Sequence, residues 1–172
     1  MLRAAARLFA ERGFWGTSTE DIGAACGISG PAVYKHFPSK NALLARMLLD
    51  ISRQLIDGAQ LVVSEADSAG AALIGLIEFH ADFAINESDL IRVQDRDLGS
   101  LKPNDSRHVR RLQREYVELW VSVLQKLDST LTLDLARVRA HAAFGLLNST
   151  SHSGSEPSAR AELIRMTQQA LT

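Results

Sequence analysis

The stretch GISGPAVYKHFPSK, Gly27 to Lys40, sets a glycine and a proline ahead of a very short run that ends at a second proline. Between Pro31 and Pro38 there is room for barely two helical turns, far under the ~12–15 residues at which an isolated helix becomes even marginally stable. Pro31 suits the first turn of a helix, where amides lack an intrahelical partner. Pro38 disfavours the helical region at Phe37 and ends the run. Tyr34, Lys35 and His36 stand side by side on it, bringing hydroxyl, ammonium and imidazole donors. So short a helix holds only if Ile22, Ile28, Val33 and Phe37 lock it onto its neighbours, leaving its other face free.

The neighbours are readable. Leu2, Ala5, Ala6, Phe9 and Ala10 follow one apolar helical face, which predicts a helix over Leu2–Arg12. Gly13 is expected to end it in the left-handed conformation. Ser18, with Asp21 three residues on, starts a second helix expected to bury Ile22, Ala25 and Cys26 and to stop at Gly27. Ser29 or Gly30 caps the short third helix. Ser39 caps a long fourth, in which Leu43, Leu44, Met47, Leu48, Ile51, Leu55 and Ile56 form an apolar stripe.

Three short helices joined by tight turns make a helix-turn-helix. Gly30, Pro31 and Ala32 have little side chain, so the third helix can seat its N-terminus deep in a major groove. Tyr34, Lys35 and His36 suit phosphate positioning, and Ser39 and Lys40 offer a second potential phosphate contact.

Downstream every signal is helical, with helices expected at Ala69–Asn86, Asp89–Leu98, Pro103–Leu127, Leu133–Asn148 and Ser158–Leu171. Turn chemistry separates them at Asp67-Ser68, Glu87-Ser88, Gly99-Ser100, Lys102-Pro103-Asn104 and the polar loop Ser149–Pro157. Alternating apolar and polar residues are absent, so no strands are expected. The fold class read from this pattern is all-α, a small N-terminal unit followed by a larger bundle.

Composition narrows the function. Hydrophobic content of 46% and charged content of 23% belong to a globular chain rather than a disordered one. No run of ~18 apolar residues could span a membrane, and the N-terminus lacks the order of a signal peptide. The single cysteine, Cys26, cannot form an intramolecular disulfide, which fits a reducing cytoplasm. A soluble cytoplasmic protein is expected. Within residues 1–46, Arg3, Arg7, Arg12, Lys35, Lys40 and Arg46 outnumber Glu11, Glu20 and Asp21, for a net charge of +3 against −4 in the remainder. That asymmetry hints at a polyanion-facing end. No nucleophile–base pair, phosphate loop or metal spacing occurs, so neither enzyme, catalytic residue, metal nor cofactor is expected. Glu78, His80 and Asp82 are two apart and cannot share a helix face around one ion.

The residues Leu8-Phe9-Ala10-Glu11-Arg12-Gly13-Phe14, Thr17-Ser18-Thr19-Glu20-Asp21-Ile22, and Gly27-Ile28-Ser29 through Tyr34-Lys35-His36-Phe37-Pro38-Ser39-Lys40 closely resemble the DNA-binding domain of TetR family transcriptional repressors. The resemblance covers about residues 2–46. It implies a DNA-binding set of Thr17, Ser18, Ser29, Gly30, Pro31, Ala32, Tyr34, Lys35, His36, Ser39 and Lys40. Within it, phosphate contact maps to Tyr34 and His36, and to the helix starts at Thr17, Ser18, Ser39 and Lys40. Base-edge contact maps to about Gly30, Pro31, Ala32 and Lys35. Pro31 stands where the family often has Gly. The chain begins at Met1 inside the first helix, so the basic arm that many relatives carry ahead of it is not expected.

The resemblance further implies a DNA-binding domain over 1–46 and a ligand-binding and dimerisation domain over 47–172. In the latter, large or polar residues on apolar helices are pocket candidates: Phe79, His80, Phe83, Gln94, Tyr116, Trp120, Phe144 and Asn148. Ordinary packing is the competing reading for each. Arg107, Arg110, Arg111 and Arg114 lie on one stripe, read as a solvated face or as a clamp for an anionic ligand such as a CoA thioester. Ala136, Ala140, Ala143, Leu147, Ala161, Ile164 and Ala170 on the last two helices are expected to face a second subunit, packing within the subunit being the competing reading. The expected protein is a homodimeric repressor released from a palindromic double-stranded DNA operator by a small apolar or acyl-type effector. The alternative is an all-α small-molecule-binding or scaffold protein with a vestigial helix-turn-helix.

Overall fold

The computed structural model describes residues 1–149 and 157–171, and all regular structure among them is helical. In order the helices are α1 (Leu2–Arg12), α2 (Thr19–Ala25), α3 (Gly30–Tyr34), α4 (Lys40–Glu65), α5 (Ala69–Asn86), α6 (Ser88–Asp97), α7 (Pro103–Leu127), α8 (Leu133–Asn148) and α9 (Pro157–Leu171), with one 3-10 turn at Leu98–Ser100. The bounds expected for α1, α5, α7 and α8 are those observed. Most of the loop expected over Ser149–Pro157 lies outside the described residues. None of the described helices is long and apolar enough to cross a membrane.

The chain forms two compact units, each assembled from separated segments. The first comprises Met1–Ser52 and Asp89–Arg110. Its core is Ala5, Phe9, Ile22, Val33, Leu43, Leu44 and Leu48, all at most 1% exposed. Ser18 begins α2 with a reciprocal capping box: its hydroxyl accepts from the Asp21 amide and the Asp21 carboxylate accepts from the Ser18 amide, an arrangement worth about 1 kcal/mol. Gly13 ends α1 at φ 81° and ψ 160°. The positive φ is as expected but ψ is not left-handed helical; this extended region is open essentially to glycine alone. Ala25 is exposed and Cys26 half-buried, against the expectation that both are covered. The reason is that α2 turns Thr19, Ile22 and Gly23 inward.

The second unit comprises Arg53–Ser88 and Arg111–Thr172. Here α5, α8 and α9 pack on one another. The bidentate pair from Arg160 Nε and Nη2 to Asp82, at 2.6 and 2.9 Å, ties α9 to α5 at the surface. Ala136, Ala140, Ala143 and Leu147 are at most 1% exposed, so this stripe of α8 is buried within its own chain. It does not await a second subunit, as its small size had suggested. The opposite face of α8 is the open one, with Leu135 at 56% and Val138 at 63% exposure, together with exposed Ala142 and Gly145. On α9, Ala161 and Ala170 are exposed and Ile164 is half-buried.

Candidate nucleic-acid interface

Helix α3 is five residues long, and its position is set by how closely α2 lets it approach. A Cβ built on Gly23 would stand 2.8 Å from the Ile28 carbonyl oxygen and 3.0 Å from the Gly30 amide nitrogen. Both obstacles are backbone, so only glycine permits the α2–α3 turn to close this tightly. Gly27 turns the chain with φ 68°. Val33 is buried beneath α3, while Ile28 and Phe37 are half-buried at its margins. The sequence pattern identified the turn glycine but not Gly23, whose need is visible only once two backbones meet.

The expected DNA-binding residues divide into two groups. Ser29, Pro31, Tyr34, Lys35 and His36 are exposed on and around α3, with Ala32 half-buried among them. Ser18 is exposed at the start of α2. Tyr34 is 50% exposed, and its hydroxyl lies 3.1 Å from Thr19 Oγ1, which fixes the ring against α2. These residues expose hydroxyl, imidazole and ammonium groups to solvent.

The others serve the frame. Thr17 is buried, and its hydroxyl donates to the carbonyls of Gly13 at 2.9 Å and Leu8 at 3.2 Å. Gly30 is buried with the Glu20 side chain 3.1 Å from where its Cβ would be. Ser39 caps α4, its hydroxyl accepting from the Ala42 amide at 3.0 Å. Lys40 sends its ammonium inward, donating to the carbonyls of Phe14 and Thr17, both at 2.7 Å, and lying 4.5 Å from the centre of the Phe14 ring. Burial pushes the Lys40 pKa down, since the charged form loses water. Asp21 is moved down by the Ser18 hydroxyl and amide, with a smaller contribution from the Arg12 guanidinium.

One further residue, Arg96 of α6, escaped the sequence reading. Its guanidinium donates to the Phe9 carbonyl and, at 3.3 Å, to that of Ala10, neutralising the end of α1 as a cation at a helix C-terminus does. Asp97, 4% exposed, holds the same guanidinium at 3.0 Å. Asn41 of α4 donates to the Ser100 carbonyl at 2.6 Å. The segment around residues 96–100 thus braces the helix-turn-helix unit. No sequence signal marks an arginine 86 residues away as a helix cap.

In the second unit, His80, Phe83, Tyr116, Trp120, Phe144 and Asn148 come together. The His80 ring is centred 5.1 Å from Phe144, 5.7 Å from Tyr116, 6.1 Å from Trp120 and 6.2 Å from Phe83. Its Nε2 lies 3.0 Å from Asn148 Oδ1 and its Nδ1 2.8 Å from the Tyr116 hydroxyl. Since Oδ1 can only accept, His80 carries its proton on Nε2 and accepts from Tyr116 at Nδ1. Burial, opposed by the Asn148 hydrogen bond, lowers the His80 pKa to about 4. Phe79 lies apart from the ring cluster against Gly58, where an added Cβ would be 2.3 Å from its ring. Gln94 belongs to the other unit.

Along α7, Arg107 donates to Asn104, Arg110 to Ser106 and Arg111 to Glu115, all at the exposed surface. Among the described residues there is no group of three or more His, Cys, Asp or Glu arranged to hold a metal ion.

Residues 1–47 match the family model of bacterial regulatory proteins, tetR family, and residues 66–152 match that of the tetracyclin repressor-like C-terminal domain. The HTH-type transcriptional repressor KstR2 of Mycolicibacterium smegmatis is 31% identical over 131 residues, covering 73% of this chain and 62% of that protein. Its counterpart from Rhodococcus jostii is 28% identical over 126 residues, with the same coverage. The chain therefore spans 62% of the length of these curated relatives. A TetR-family transcriptional regulator from Bordetella parapertussis 12822 shares the fold at a TM-score of 0.90 and 24% identity, over 99% of this chain and 91% of that one. AibR, in complex with isovaleryl coenzyme A and operator DNA, shares it at 0.80 and 17% identity, over 96% and 94%.

Proposed function

This chain belongs to the tetR family of bacterial regulatory proteins, and from that membership we propose that it is a ligand-responsive, DNA-binding transcriptional repressor. The carrying observation is the exposed end of α3, where Tyr34 closes a helix too short to stand alone and Lys35 and His36 follow it in the turn, all three exposed. Ser18, Ser29, Pro31 and Ala32 complete the proposed contact set. Thr17, Gly30, Ser39 and Lys40 hold it in place. The division of labour is DNA binding in residues 1–46 and ligand binding with dimerisation in 47–172.

Two copies form the reading unit. Their α3 helices enter successive major grooves of a palindromic operator, about 34–36 Å apart. The exposed face of α8, with Leu135, Val138, Ala142 and Gly145, supplies the dimer contact together with Met166 and Ala170 of α9. A Cβ added at Gly145 would meet nothing within 4 Å, which leaves space for a partner helix to approach.

The effector is a small apolar or acyl-type molecule admitted among the rings around His80. That cluster brings aromatic rings together with a few convergent polar atoms, the residue types that line small-molecule sites. The fold shared with AibR, whose structure holds an acyl coenzyme A, supports the acyl class. Effector and operator each weaken the other's binding by the same factor. A mobility-shift assay with the DNA upstream of the gene tests the reading: a low-salt shift reversed by an acyl ligand is expected. Absence of any shift, with that duplex or a random one, would remove the repressor assignment.

A further inference from the structure

Trp15 is 81% exposed, more than any other large apolar side chain among the described residues. It is nonetheless held. The Phe14 ring meets it edge-on, centroids 5.2 Å apart at 79°. Lys40 bonds the carbonyls of Phe14 and Thr17, so the backbone is pinned on both sides of Trp15. The same ammonium lies 5.9 Å from the centre of the indole. A loop fixed this firmly could have turned a large ring inward, and core packing gives no reason for it to point into water.

Its neighbourhood supplies one. Ser18 follows three residues on, and Tyr34 reaches α2 through Thr19. Trp15 thus lies in the turn between α1 and α2, three residues before the exposed Ser18 and against Lys40, in the segment whose net charge is +3. Indole offers a single polar atom, the Nε1–H, which donates and cannot accept. Its partner must therefore accept a hydrogen bond and present a surface for the ring. We propose that Trp15 is a contact to the sugar-phosphate backbone of duplex DNA, its ring packed on deoxyribose and its Nε1–H donated to a phosphate oxygen. This inference rests on the DNA-binding reading above and adds to it a residue outside the helix-turn-helix positions.

The chain has two tryptophans, and Trp120 is 0% exposed, so acrylamide quenching reports on Trp15. Quenching is measured with and without a duplex from the upstream region and a random duplex of equal length. Both duplexes are expected to shield Trp15. In anisotropy titrations Trp15→Ala should bind more than about tenfold more weakly, because it loses both a hydrogen bond to a charged acceptor and the ring contact. The slope of log affinity against log salt should not change, because a neutral side chain releases no counterions. Trp15→Phe, which keeps a ring and loses the donor, should fall between. If the wild type binds DNA while Trp15 stays equally accessible to acrylamide and Trp15→Ala binds as well as wild type, the inference is wrong and the repressor reading stands. If the wild type binds neither duplex, both fall together.

Discussion

Lys40 turns its ammonium to the carbonyls of Phe14 and Thr17, whereas Lys35 leaves its own in solvent. Two lysines expected to touch phosphate are therefore distinguished by experiment. Lys35→Ala should lower affinity for operator and random DNA alike and reduce the magnitude of the salt slope by about one. Lys40→Ala should instead lower the thermal midpoint, because two carbonyls lose a charge-assisted donor. A variant of Lys40 that melts like wild type would contradict its role as a brace. His80 makes a second prediction, through pH. Its folded pKa of about 4 lies below the ordinary 6.5, so between those values the unfolded chain binds more protons. The stabilisation is complete above about pH 6.5 and is lost as pH falls toward 4, on the order of 3 kcal/mol in total. Denaturant midpoints across that window should fall with pH in wild type. The fall should be much smaller in His80→Gln, which keeps a polar side chain without titrating there.

Between α2 and α3, one missing methyl group decides whether the element exists. Gly23→Ala would press a Cβ to 2.8 Å from the Ile28 carbonyl. The resulting overpacking should cost about 1–3 kcal/mol, displace α3 and abolish the mobility shift. Unchanged DNA binding by this variant would mean that the turn is softer than its geometry indicates. Elements of this kind mark how far a single sequence carries. Helices α5, α7 and α8 were legible to the residue because their caps and breakers are local: Ser68 and Thr132 cap, and Pro103 starts a helix. The HTH surface was legible because Pro31 and Pro38 bound it on both sides. What stayed hidden depends on contacts across the chain, as with Arg96 capping α1 or the inward turn of Lys40. The α8 stripe misled for another reason. Both of its faces carry small or apolar residues, so periodicity alone could not say that Ala136 and Ala140 face inward while Leu135 and Val138 face out.

In the assembly, the proposed repressor needs two reading heads, and the outward face of α8 is the surface proposed to join two chains. Val138→Glu places a charge at the centre of that face. Sedimentation should show a dimer for wild type and a monomer for the variant, with operator binding lost and helix content kept. A dimer that survives this substitution would move the interface elsewhere. On the proposed function, the exposed end of α3 grips the phosphates of duplex DNA. An anisotropy titration of a labelled upstream duplex at stepped salt concentrations reads that grip. Affinity should fall linearly on a log–log scale as salt rises, with a shallower line for Lys35→Ala. Affinity that is indifferent to salt, or no binding even at the lowest salt, would contradict it.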